Sequence, residues 1–439
     1  MIFKNKKVLV MGMGRSGNAA AKLLLKNGAL VSAWDSSENV QERFPELKFE
    51  NFENNEANLK NYDLAILSPG IPIDHPIVLA AKEAGVVVWG ELELASRFTD
   101  LPIIAITGTN GKTTVTTLVG DILRKAGRSV AVLGNIGEPF SGAVLETNQI
   151  IVAEVSSFQL ESVSLFAPRI SAILNITPDH LDRHYSMENY IWTKKRIFMN
   201  HTPDDILVLS YDDPNCRNIT GDCRIIYFSR KEINAPSVFE SNGAIISNFS
   251  AKKRLEICKL EEINMIPENA LAAAAIALAA GAPIKAIKEG LMAFKGAPHR
   301  IEFLGEFNGV AFYNDSKATN SESAIRGLSS MKRPTILIAG GYDKLTDMTK
   351  FANTIKALAT HTFLIGETAQ KIARSLDETG CSEYSIVYDL ESAVKAACKT
   401  ARPGMAVLLS PACASFDQFK NFEARGSAFS ELVKKYGLL

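Results

Sequence analysis

The stretch IIAITGTNGKTT, Ile103–Thr114, decides how the chain is read. Apolar and β-branched residues over Ile103–Thr107 predict a buried strand. It runs straight into a glycine-rich turn, Gly108-Thr109-Asn110-Gly111, and then into a helical pattern over 112–126. Strand, turn and helix in that order aim backbone N–H groups and the positive helix end at one spot, which suits phosphate. Lys112 is then placed to reach terminal phosphates, with Thr113 able to hold Mg²⁺ through its hydroxyl and Thr114 beside it. The spacing departs from G-x-x-x-x-G-K-[ST], because Ile106 stands where the first glycine belongs. Gly-Lys-Thr-Thr in a strand-to-helix context still favours an ATP site over a chance turn.

A second glycine loop lies near the start. VLVMGMGRSG, residues 8–17, carries Gly12, Gly14 and Gly17 in G-x-G-x-x-G spacing, and Asp35 closes the next apolar stretch. The pattern predicts a Rossmann-like domain, and alone it fits a nicotinamide, a flavin or another phosphate-bearing ligand equally. Strand-like and helical patterns alternate through the rest of the 439 residues, which predicts α/β architecture throughout. We expect three α/β domains in series: a Rossmann-like domain over 1–98, a central P-loop ATPase domain with a parallel sheet over 99–298, and a Rossmann-like domain over 299–439. TDLP at 99–102 marks the first boundary, and Gly296 and Pro298 interrupt the helical pattern at the second.

Composition narrows the function. Forty-eight basic and 48 acidic residues cancel without a like-charged block, which argues against nucleic acid or an anionic membrane as partner. Six scattered cysteines without a C-x-x-C pair read as free thiols, not a zinc site or a disulfide framework. The apolar run at 269–282 is shorter than the roughly 20 residues of a membrane span, and reads as a buried Ala-rich helix. A cytoplasmic protein, soluble and monomeric, is expected.

An ATP site needs an acid on a neighbouring strand. In QIIVAEVSSFQLE the apolar residues 150–153 end in Glu154, the position where α/β sheets place their ligands. NITPDHLDRH then packs Asn175, Asp179, His180, Asp182 and His184 after a strand at 170–175. That density suggests a second metal or substrate position, although His184 also reads as a satisfied structural residue.

TGTNGKTT, AEVSSFQLE and NITPDHLDRH in this order resemble the Mur ligase family, the ATP-dependent amide-forming enzymes of peptidoglycan synthesis. GAPHRIEF, YNDSKATN, IAGGYDK and LLSPACASFDQFKNFEARG are similar to the branch that adds D-glutamate to UDP-N-acetylmuramoyl-L-alanine. The resemblance covers nearly the whole chain. It implies ATP and two Mg²⁺ as cofactors, an acyl phosphate and a tetrahedral intermediate, and a Gly12–Gly17 loop that holds a UDP-sugar with no NAD or flavin. Lys112, Glu154, His180 and Lys194 are its implied catalytic residues. Thr113, Glu154, His180 and a carbamate on Lys194 are its implied metal ligands. For ATP it adds Asn269, Arg300 and Asp315 to the loop Gly108–Thr114. The family's H-N-x-x-N pattern here begins with Met265 and Ile266, so only its last member, Asn269, is kept. For the UDP-sugar it implies Arg15, Ser16, Asp35, Ser36, Ser68, Pro69, Gly70, Asn135 and His180, and for D-glutamate Lys317, Thr319, Lys344, Ser415, Phe416 and Phe422.

Plainer readings stand beside these. Lys194 and Lys195 read equally as two surface lysines on a helix, and Phe416 and Phe422 equally as core aromatics. A nicotinamide dehydrogenase would leave the second glycine loop, Glu154 and SPACAS idle. A folate polyglutamate ligase would share the GTNGK loop but lack the first block and the SPACASFDQF tail. A non-catalytic nucleotide sensor would not need Lys112, Glu154, His180 and Lys194 together.

Overall fold

The computed structural model describes residues 3–52, 56–135, 138–143, 145–250, 253–294, 296, 298–343 and 347–437. Residues Met1–Phe294 form one compact unit and Lys295–Leu439 another.

Alternation along the central strands explains how the first unit is built. Successive strand residues point to opposite faces, so a strand that is apolar at every position must be covered on both. Ile104 and Ile106 enter one core with Val152 and Val208, while Ile103 and Ala105 enter another with Ile151, Ala153, Leu207 and Leu209. The first core is roofed by the helices Lys112–Lys125, Pro267–Ala279 and Ile284–Ala293. Seven alanines in the second of these keep its side chains short, and Ala270, Ala272–Ala275 and Ala277 are fully buried. The Ala-rich stretch is therefore a buried helix, as its length predicted.

Among the described residues the central sheet has nine strands. From one edge it runs Val130–Gly134, Ile150–Glu154, Ile103–Thr107, Ile170–Ile173, Ile206–Ser210, Arg224–Ser229 and Ser237–Ser241, all parallel. Two antiparallel strands, Ala244–Ser250 and Lys253–Lys259, extend it. The sheet is thus mixed, where a parallel one was expected. The strand expected over 170–175 ends at Ile173, and Asn175 already belongs to the loop.

The N-terminal sheet is fully parallel, in the order Lys48–Phe49, Leu30–Trp34, Lys7–Met11, Leu64–Leu67, Val87–Gly90. Chain order reverses on either side of Lys7–Met11, which opens a crevice at the loop that follows it. The central sheet repeats the device at Ile103–Thr107, flanked by Ile150–Glu154 and Ile170–Ile173. Both glycine loops therefore sit at switch points, at the carboxyl ends of buried strands.

The second unit carries a six-stranded sheet. Val310–Asn314, Ala406–Leu409, Thr335–Gly340, Ala359–Ile365 and Tyr384–Ile386 run parallel, and Glu302–Phe307 pairs antiparallel at one edge.

Within the first unit, the N-terminal sheet is tied to the central one by buried carboxylates of GELELASR. Glu93, fully buried, accepts from the backbone N–H groups of Ser164, Leu165 and Phe166 and from Arg97. Glu91 accepts from Ser141 N. Removing a carboxylate so placed leaves three buried donors and a guanidinium without their acceptor. Glu93→Ala is expected to lower stability by about 3 kcal/mol. The midpoint of urea unfolding reports it, and an unchanged midpoint would contradict the tie.

Candidate active site

The loop Gly108–Gly111 needs its glycine at the turn into the helix. Gly111 has φ +86°, and a Cβ there would come within 2.6 Å of Asn269 Oδ1. Glycine thus lets the loop meet the start of Pro267–Ala279. Asn175 clamps the loop from the other side: its Oδ1 accepts from Asn110 N at 2.8 Å and its Nδ2 donates to Asn110 O at 3.1 Å. Thr109, buried, accepts from Thr177 N at 3.0 Å and lies 3.2 Å from the Tyr190 hydroxyl.

Lys112 folds back over this loop and donates to Gly108 O at 2.8 Å and Thr109 O at 2.9 Å. Next to it in the same helix, Thr113 Oγ1 donates to Glu154 Oε2 at 2.7 Å, and both residues are buried. Asn135 Nδ2 donates to the other oxygen, Oε1, at 2.9 Å. Thr113, Asn135 and Glu154, from three separate stretches of sequence, thus meet in one chain of hydrogen bonds, with Lys112 beside it on the loop carbonyls. Thr114 is buried beside them.

The helix Met187–Lys195 decides between its two lysines. Lys195 is half-buried, whereas Lys194 is only 1% exposed, with Nζ donating to Gly108 O at 3.0 Å and lying 4.6 Å over the Tyr190 ring. Burial, with the neighbouring Lys112 cation second, holds the Lys194 amine well below the ordinary lysine range. The surface reading of Lys194 is overturned, because the loop carbonyl and Tyr190 give its stem an interior course.

His180 is half-buried at φ +53°, with Nε2 3.6 Å from Asp179 Oδ2 and its ring edge-on to Phe158. His184 is the structural histidine. It is buried, shares a 3.0 Å hydrogen bond between Nε2 and Ser157 Oγ, and lies 3.6 Å from Glu161 through Nδ1.

At the first glycine loop, Asp35 accepts from Met13 N at 2.7 Å and from Ser37 N at 3.0 Å, which fixes the loop against the second strand. Ser68 is buried and donates to Gly12 O at 2.6 Å. Arg15 opens the helix Arg15–Lys26, Ser16 is half-buried beside it, and Ser36 and Gly70 are exposed with Pro69 half-buried.

In the second unit, Arg300 sits between two left-handed residues, His299 at φ +61° and Ile301 at φ +47°. A β-branched residue there is strained, and such strain gathers at functional turns. Asp315 holds the turn by accepting from Ile301 N at 3.3 Å and Ser410 Oγ at 2.8 Å. Burial pushes its carboxyl up to about 7 against the pull of Ser410 and Arg300. Lys317 Nζ lies 5.1 Å over the half-buried Phe422 ring, and Thr319 N donates to Lys317 O. Ser415 is buried, while Phe416 is 66% exposed with its ring edge toward Tyr342, so Phe416 is not a core aromatic. Lys344 lies outside the described residues.

Comparison with known proteins matches this geometry to one family. The profile for a MurD-like Mur ligase N-terminal domain matches residues 6–90, that for the Mur ligase middle domain 106–280, and that for the Mur ligase glutamate ligase domain 299–413. The UDP-N-acetylmuramoylalanine–D-glutamate ligase of Caldanaerobacter subterraneus subsp. tengcongensis is 45% identical over 99% of both chains. The chain belongs to the Mur ligase family, in its MurD-like branch. The enzyme of the same name from Thermoanaerobacter sp. strain X514 is also 45% identical, over 99% of each chain. Among solved Mur ligase structures, MurC of Thermotoga maritima superposes with a TM-score of 0.62 at 19% identity, covering 98% of this chain and all of its own. MurF of the same organism, in complex with ADP, gives 0.61 at 16% over 99% and 96%. At those identities the likeness is one of fold.

Two supports of this Mur ligase site escaped sequence reasoning. Asp213 accepts from Ile176 N at 2.8 Å while Asn215 Nδ2 donates to Ile176 O at 2.9 Å, so DDPN pins the loop that carries Asn175 and Thr177. Arg425 is buried and donates to Ser316 Oγ, Ser316 O, Cys413 O and Ala414 O, locking YNDSKATN to SPACAS. Its signal was present: Arg425, Phe429 and Val433 repeat every four residues and share the buried stripe of one helix.

Burial above all holds the His184 imidazole down at about 4. An unfolded histidine titrates near 6.5, so the folded state binds fewer protons between those values. The resulting stability is complete above about 6.5 and is lost as pH falls toward 4. His184→Gln is therefore expected to lose less stability than the parent chain between pH 7 and pH 5. Equal losses in denaturant titrations at the two pH values would contradict the assignment.

Proposed function

We propose that this Mur ligase joins the amine of D-glutamate to the terminal carboxylate of UDP-N-acetylmuramoyl-L-alanine, with ATP cleaved to ADP and phosphate, in peptidoglycan synthesis. The observation that carries the reading is the hydrogen-bonded group of Thr113, Asn135 and Glu154 beside the Gly108 turn, where Lys112 and Lys194 share one carbonyl, in a chain 45% identical to ligases of that name. Segments 1–98, 99–298 and 299–439 are read as binding the UDP-sugar, ATP and the amino acid, and each matched profile falls within one of them. We place the enzyme in the cytoplasm as a monomer. No helix of the described residues is long and apolar enough to cross a membrane.

The chemistry asks three anions to meet: a polyphosphate, a carboxylate and a dicarboxylic amino acid. The substrate carboxylate attacks the γ-phosphorus and ADP leaves, giving an acyl phosphate. The amine adds to that carbonyl carbon, and the tetrahedral adduct expels phosphate and a proton to leave the amide. Catalysis of this kind is mostly positioning and charge neutralisation. Lys112 exchanges its two loop carbonyls for the β- and γ-phosphates, alongside the N–H groups of Gly108–Thr114. Asn269, beside Gly111, faces the adenine side, and Arg300 and Asp315 belong to the same nucleotide's set.

The donor set suits Mg²⁺. Among the described residues no group of three His, Cys, Asp or Glu is gathered that could hold a metal ion. A hydroxyl and a carboxylate meet instead at 2.7 Å beside a phosphate-binding turn, and Mg²⁺ is usually held by one or two carboxylates plus substrate phosphates. Thr113 and Glu154 would hold one ion, and His180 with a Lys194 carbamate a second. When bound, Mg²⁺ neutralises the charge that builds on the transferring phosphoryl group. A neutral Lys194 amine adds CO₂ and releases one proton, which leaves a carbamate anion in its place.

Arg15 and Ser16 take the UDP diphosphate, Asp35 and Ser36 face the uracil, and Ser68-Pro69-Gly70, Asn135 and His180 line the way to the muramoyl end. Lys317, Thr319, Lys344, Ser415, Phe416 and Phe422 take D-glutamate, where two lysines and two hydroxyls suit two carboxylates. In the parent chain, supplied with ATP, Mg²⁺ and UDP-N-acetylmuramoyl-L-alanine, phosphate release is expected with D-glutamate and not with L-glutamate. Equal release with both, or none with D-glutamate, would overturn the reading.

A further inference from the structure

The short helix Leu181–His184 begins at His180 and carries Arg183. The Arg183 side chain is only 11% exposed. Its Nε donates to Glu161 Oε1 at 3.2 Å and its Nη2 to Glu161 Oε2 at 2.6 Å, the two-pronged geometry that fixes a guanidinium plane. Phe158 packs 4.5 Å beneath it. Held so, the fork points at the N-terminal sheet: Nη2 also donates to Ile71 O at 3.0 Å, and Nη1 reaches Gly70 O at 3.4 Å.

Those two carbonyls end the turn that follows Leu64–Leu67. The same turn closes on the first glycine loop twice, because Ser68 Oγ donates to Gly12 O and Ile71 packs against Gly12. A Cβ at Gly12, which has φ +86°, would come within 2.8 Å of Ile71 Cδ1. Arg183 therefore holds Ile71, Ile71 holds Gly12, and Arg183 N donates to His180 O at 3.1 Å. One side chain joins the glycine loop of the first sheet to the His180 turn of the second.

We propose that Arg183 is a positioning residue for the nucleotide-sugar: without touching it, Arg183 sets the Ser68–Ile71 turn against the Gly12 loop and in register with His180. The inference rests on the reading that this crevice takes the UDP-sugar. Hydrogen bonds from a charged group are each worth about a tenfold change in equilibrium or more. In Arg183→Gln the KM for UDP-N-acetylmuramoyl-L-alanine should rise about tenfold or more, while KM for ATP and kcat stay within about twofold. Arg183→Lys, which keeps the charge and loses the fork, should show a smaller rise in the same constant. A merely structural strut would lower the melting temperature and leave that split absent. An unchanged KM for the nucleotide-sugar, or equal rises for both substrates, would overturn the proposal. If Arg183→Gln does not fold, Arg183→Lys decides by the same constant. Calorimetry on the parent chain separates the two levels. No binding of the nucleotide-sugar there overturns the site reading itself, whereas tight binding with unaltered variants overturns only the role of Arg183.

Discussion

Two lysine amines converge on one carbonyl oxygen. Gly108 O accepts from Lys112 at 2.8 Å and from Lys194 at 3.0 Å, and Lys194 is buried almost completely. Two ammonium groups cannot both stay charged cheaply in so dry and close a setting. Lys112 is half-exposed at the mouth of the loop, so the cost falls on Lys194. An amine held well below its ordinary range, a hydroxyl–carboxylate pair and the glycine loop then meet at one helix start.

The supports are layered. Asn175 grips Asn110 on both its backbone groups, Thr109 binds Thr177, and Asp213 with Asn215 grips Ile176 between them. Each link is a polar side chain closing on backbone, so the loop's shape does not rely on apolar packing alone. The same logic recurs in the second unit, where Arg425 spends four hydrogen bonds on carbonyl and hydroxyl oxygens of two loops. A buried guanidinium with four N–H groups engaged in this way fixes loop geometry more strictly than an apolar residue of equal volume.

The strand Ile103–Thr107, buried on both faces, was legible because every residue in it is apolar or β-branched, and it matches the expected span. The antiparallel strands Ala244–Ser250 and Lys253–Lys259 were missed, although Asn242-Gly243 before them is a strong turn signal, since KRLEICK mixes charge with apolar residues at a sheet edge. Glycine loops were readable for a physical reason, since positive φ at Gly12, Gly108 and Gly111 and the close approach of Gly12 O at Gly17 restrict those positions to glycine. The partners of long polar side chains were not readable. Lys194 and Lys195 are neighbours of one type, and only the course of the helix past Tyr190 and Gly108 sends one inward. Arg183 and Asp213 act across 112 and 37 residues of chain, which no local pattern records.

The state of the Lys194 amine is the point on which the chemistry turns. Carbon-13 NMR of the full chain equilibrated with labelled bicarbonate reports it directly. A buried amine held well below its ordinary range beside Gly108 should give a protein carbamate resonance that disappears in Lys194→Arg. No such resonance, or one that persists in Lys194→Arg, would contradict the assignment.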